Sequence, residues 1–198
     1  MQAIRTVFLF LGAVFALLLI LMGVIGYLIT GPAPRETGAA PILVDHEAAQ
    51  SLDNKVEALE QQIALASATG QHTRLTLEIT EEEATSKLDE LADGGDLPVA
   101  MDRIQIHFID GCLCGFAVAD LLIDVQVSLR ARIEVDQGKP DIIIESLNIG
   151  RLPIPKTLID QVMNAIMRKT EDRLENIPVE LEGVTIEDGV MTISGVTK

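Results

Sequence analysis

The 198 residues carry 15 Lys+Arg against 30 Asp+Glu, a formal net charge of −15 at pH 7, and only 3% are aromatic, with no tryptophan. So acidic a chain is a poor surface for nucleic acid or anionic headgroups, which demand basic patches. Phe8, Phe10, Phe15 and Tyr27 fall in the first 29 residues, leaving Phe108 and Phe116 as the only rings on which a sugar or base could stack.

The run "VFLFLGAVFALLLILMGVIGYLI", Val7 to Ile29, holds no charged or strongly polar side chain. At ~1.5 Å per residue it crosses a ~30 Å hydrocarbon core with modest tilt. A cleaved signal peptide would show an apolar stretch of about 7–15 residues and a small-x-small cleavage site. Neither feature stands out, so residues 1–30 are expected to form an uncleaved transmembrane anchor. Arg5 before the span, against adjacent Arg35 and Glu36 after it, favours a cytoplasmic N-terminus. The rest is then expected to be extracytoplasmic at the cell membrane.

Residues 31–44 are rich in Pro, Gly and Ala and read as a tether. Over 45–70, Ala49, Leu52, Val56, Leu59, Ile63 and Ala66 recur at steps of three and four. That stripe predicts a stalk helix. It can zip two chains into a short coiled-coil homodimer, or lie against the following domain as an ordinary amphipathic helix.

Residues 71–198 have the size of one α+β domain. "RLTLEIT" predicts a short strand, and Thr80 with Glu83 makes a capping box opening the helix "EEEATSKLDELA". Glu81, Glu82 and Glu83 read as negative charge at the positive end of a helix dipole. "MDRIQIHFI" and "CLCGFAV" flank Asp110-Gly111, a hairpin turn. From Ile123 to Val135 every odd position is apolar or Ala131 and every even one polar, predicting an unusually long strand of ~43 Å. "DQGKPD" turns the chain back into "IIIESLNIG", and Asp188-Gly189 predicts a last hairpin.

Between that sheet and a helical stretch lies "RLPIP", Arg151 to Pro155. Proline donates no ladder hydrogen bond and keeps its predecessor extended, so pairing ends here while the chain stays stiff. Pro155 falls where a helix can start without a free N–H. Leu158, Ile159, Val162, Met163, Ile166 and Met167 then give an apolar helix face. Such a face either fills a core or walls an apolar groove, and the methionines suit an irregular interior.

The anchor, the short strand with its capped helix, the long alternating strands, "LNIGRLPIPKTLIDQVMNAI" and the closing "IPVELEGVTIEDGVMTISG" resemble the YpmS-like families of bacterial membrane-anchored proteins. These are in turn similar to tubular lipid-binding, or TULIP, domains of the BPI type. The likeness covers about residues 74–198 and implies a long curved antiparallel sheet wrapped around a long amphipathic helix. It also implies a groove for acyl chains, lined by Leu152, Ile154, Ile159, Val162, Met163, Ile166 and Met167, with Val125, Val127 and Leu129 from the long strand. The expected function is non-catalytic binding of a lipid or other long apolar ligand. The competing expectation is a protein-interaction module with a filled core and dimerising stalk.

No nucleophile, base and orienting group assemble around His46, His72 or His107, and no cofactor is expected. If Asp110-Gly111 is a two-residue turn, His107 becomes the cross-strand neighbour of Cys114, on the face shared by Cys112. Unpaired cysteines, a disulfide and a metal are all compatible with that cluster, but C-x-C spacing and the missing fourth ligand speak against metal. "ADGGD" lacks the ligand alternation of a calcium loop, and Gly94-Gly95 lacks the G-K-[S/T] of a phosphate loop.

Overall fold

The computed structural model describes residues 26–29, 31, 40–95, 100–120, 123–161, 163, 178–187 and 189–198. Apart from 26–29, the expected span 7–29 lies outside the described residues, as does most of the tether. Among the described residues no helix is long and apolar enough to cross a membrane. The chain runs α1 (His46–Thr69), β1 (Arg74–Thr80), α2 (Glu81–Asp93), β2 (Met101–Ile109), β3 (Cys112–Asp120), β4 (Asp124–Asp136), β5 (Lys139–Ile149), β6 (Leu152–Pro153), β7 (Val179–Glu187) and β8 (Val190–Thr197). A helix α3 between β6 and β7 is described over 156–161 and at 163.

The fold is α+β, and its strands divide into two antiparallel sheets, ordered β1-β8-β7 and β2-β3-β4-β5-β6. The larger sheet is a meander in which each strand pairs with the next. At Asp110 (φ 51°) and Gly111 (φ 73°) both turn residues are left-handed, the conformation whose twist matches the strands it joins. Asn, Asp and Gly adopt it most readily, so this dipeptide fixes Ile109 opposite Cys112. β4 has the 13 residues that its alternation predicts, from Asp124 to Asp136. Its pairing with β5 slips once, between Arg130 and Ala131, and the extra residue is Glu145. The bulge directs that carboxylate to Arg130 Nε at 3.0 Å and Arg132 Nη2 at 2.6 Å.

β1 lies outside this meander, separated from β2 by α2. It pairs instead with β8, Leu77 opposite Ile193. The principal core lies where the two sheets meet: Ile104, Ile106, Phe108 and Ala117 from one, Ile186 and Met191 from the other, with Ala84 and Leu88 of α2 against them.

α2 joins these parts. Thr80 accepts the Glu83 N–H at 3.2 Å and Glu83 accepts the Thr80 N–H at 3.1 Å, completing the predicted capping box. The Glu83 carboxylate also accepts from Ser51 at 2.7 Å and Lys55 at 2.8 Å, holding α1 to α2. Glu81 accepts the Phe108 N–H at 2.5 Å, and the Thr85 hydroxyl accepts the Ile106 N–H at 2.9 Å. Those two N–H groups point away from β3, so α2 satisfies the open edge of β2. Thr85→Val keeps the shape but leaves the buried Ile106 N–H without a partner. The expected loss is about 1–2 kcal/mol, read as a lower urea midpoint at unchanged slope.

α1 lies against α2 and β1, with Ala49 and Ala66 buried and Leu52, Leu59 and Ile63 half-buried. Asp45 caps its start by accepting the Glu47 N–H, and left-handed Gly70 ends it. The alanines at the two ends of the stripe are its most deeply buried residues. Val56 and Leu65 face solvent.

Candidate functional site

Alternation along "RLTL" sends Leu75 and Leu77 to one face of β1. Register places Leu75 opposite Gly195 of β8, and Gly195 opposite Leu181 of β7. The middle of this row has no side chain, and the Glu180 carbonyl approaches to 2.8 Å from where a Gly195 Cβ would lie. Ile193 extends the same wall, and Leu59 and Ile63 of α1 face it. The result is an apolar groove of about 600 Å³ between helix and sheet. That is within the ~300–1,000 Å³ typical of ligand pockets.

The β4–β5 turn closes one side of the groove. The Leu181 N–H donates to Gly138 O at 3.0 Å, and a Cβ on Gly138 would come within 2.6 Å of Glu180 Cγ. Gly138 is therefore required both for its left-handed φ of 75° and for this close approach. Thr76, Ser194, Lys139 and Lys198 add polar groups to the lining.

The groove expected from the proline segment is described only in part. Pro153 pairs opposite Asn148 on the edge strand β6, where a missing N–H does no harm. The Pro155 carbonyl accepts the Ile159 N–H at 3.2 Å and so begins α3. Val125 and Ile159 are buried, and Val127, Leu129, Ile154 and Met163 are half-buried. Leu152 is exposed on its edge strand. Val162, Ile166 and Met167 lie outside the described residues. Val125, Val127 and Leu129 share the face of β4 that also carries Ala131 and Ile133, and Ile133 packs on the core.

A second cavity, about 470 Å³, opens on the sheet beside His107, Cys114, Gln126 and Ser128, with Pro41 and Val44 opposite. Its wall carries the predicted pair, His107 opposite Cys114. Both cysteines are buried thiols, Cys112 Sγ lying 3.8 Å from Glu145 Oε2 and Cys114 Sγ 4.0 Å from Arg130 Nη1. His107 Nδ1 is buried without a hydrogen-bond partner, 3.6 Å from Glu81 Oε2. Burial first, then the charges of Asp93 and Asp102, push the Asp89 carboxyl at this cavity above its ordinary value. Among the described residues no group of three or more His, Cys, Asp or Glu could hold a metal ion.

Sequence reasoning placed the groove at α3 and did not find the one under α1. The signal was present: an apolar stripe ending in alanines suits a helix packed closely on a sheet better than a coiled-coil seam. No family model, curated protein or solved structure matches the chain.

Proposed function

We propose that this chain is a membrane-anchored, extracytoplasmic protein that holds a lipid or other long apolar molecule between a sheet and a helix, without covalent chemistry. The observation that carries the reading is the groove walled by Leu59, Ile63, Leu75, Leu77, Leu181 and Ile193. Transfer of apolar ligand surface from water into it is favourable by about 25 cal/mol per Å². The charge-free run 7–29 supplies proximity to a lipid source. The finer comparison with tubular lipid-binding domains is part of the same proposal. It is supported by the antiparallel sheets and by α3 opening directly from the proline edge strand.

The test is native mass spectrometry and lipid extraction of residues 26–198, purified without detergent. This fragment keeps the contacts of 27–31 with the rest of the protein. A stoichiometric apolar adduct is expected, and it should be lost in Ile63→Glu while circular dichroism is retained. Val162→Glu with Ile166→Glu probes the groove expected at α3. Loss there, with Ile63→Glu silent, would move the ligand to α3. A clean mass from folded protein after exposure to membrane extract would sink lipid binding and leave the protein-interaction module.

A further inference from the structure

The apolar run 7–29 ends in direct contact with one end of the five-stranded sheet. β5 and β6 are joined there by Gly150-Arg151, and the Arg151 N–H donates to the Leu28 carbonyl at 2.7 Å. Residues 26–29 are helical, so this N–H satisfies a carbonyl that a helix end leaves open. Gly150 is buried with φ 57°, and a Cβ there would strike the Ile29 carbonyl. The Arg151 guanidinium lies over the Tyr27 ring, 4.7 Å from its centroid. Exposed apolar side chains lie at this end of the sheet. Tyr27 is 65% exposed, Leu152 37%, and Ile123, in the β3–β4 turn at the same end of the sheet, 49%.

We infer that this end of the sheet docks on the bilayer itself, with Arg151 and Tyr27 at headgroup depth and Leu152 and Ile123 at the acyl boundary. The inference rests on the reading of 7–29 as a membrane span. The occupant follows from where that run stops: residues 27–29 touch the Gly150-Arg151 turn, which puts its neighbours at the interface where Tyr and Arg anchors concentrate. The net charge of −15 disfavours broad contact with anionic headgroups, so the contact inferred is this apolar rim with its arginine.

The chain has no tryptophan, so one introduced indole reports its own depth. Ile123→Trp, Leu152→Trp and Ile142→Trp are made in the full chain and reconstituted into phosphatidylcholine/phosphatidylglycerol vesicles with brominated acyl chains. Ile142 is 41% exposed near the other end of β5, ~23 Å from Ile149 at strand spacing. The expected result is a blue shift and several-fold stronger quenching at 123 and 152 than at 142. Gly150→Val, added to Leu152→Trp, should displace the Leu28-Ile29 backbone and relieve the quenching while the protein still floats with the vesicles. Flotation with equal, weak quenching at all three sites would overturn the docking and leave the anchor intact. Failure to float with folded protein would overturn the anchor reading and the docking together.

Discussion

Truncating Phe108 to alanine should cost about 3–5 kcal/mol, the largest loss expected from one side-chain change here. Phe108 is 3% exposed and belongs to the cluster in which Ile104, Ile106 and Ala117 of one sheet meet Ile186 and Met191 of the other. Removing the ring deletes its transfer free energy and leaves a cavity that two sheets and α2 border at once. Such a site collapses poorly, because each wall is held by its own ladder. The urea midpoint should fall at unchanged slope, and thermal unfolding should remain one transition with equal calorimetric and van't Hoff enthalpies. Two separated transitions would mean that the sheets are independent units and that Phe108 serves only one.

Glu83→Ala should cost about 2–4 kcal/mol. The change removes half of a capping box and leaves Lys55 without the carboxylate that orders it. Glu83 is 5% exposed, whereas the Lys55 side chain is 37% exposed, which keeps the expected loss below that of a fully buried pair. Burial pushes the Glu83 carboxyl up, but hydrogen bonds from Lys55, Ser51 and the Thr80 N–H outweigh it and hold the group below its ordinary value. A depressed carboxyl stabilises the fold fully above its unfolded value, near 4.5, and that contribution is lost as pH falls through the lower folded value. Wild type and Glu83→Gln should therefore differ most at neutral pH and converge on acidification. A gap that widens as pH falls would contradict the assignment.

Local chemistry was legible in the sequence. Asp110-Gly111 dictated a left-handed two-residue turn and with it the His107–Cys114 pairing, and the alternation from Ile123 gave β4 its length. Thr80 and Glu83 announced their own reciprocal cap. The strand partition was not legible, because it depends on β1 finding β8 across most of the domain, and alternation names a face without naming a neighbour. The three glutamates show the same limit. Dipole reasoning treats them alike, yet Glu83 ties α1 to α2 while Glu81 satisfies the edge of β2. The stripe on α1 predicted a buried face, and Ser51 and Lys55 on Glu83, with Asp53 on Lys87, hold it toward its own domain. The groove under α1 became visible once Leu75, Gly195 and Leu181 fell in one row.

The central place of β8 in its sheet governs the order in which the chain can acquire structure. β2 to β5 can zip up hairpin by hairpin as they emerge, since each finds its partner a few residues away. β1 is made before all of them and has no ladder until β8 arrives, so closing that pair encloses a loop of more than a hundred residues. During synthesis the first strand therefore waits as an exposed edge, with its chain neighbours α1 and α2 beside it. A ribosome stalled before Val190 would leave β1 and β7 both unpaired and the groove without its middle strand.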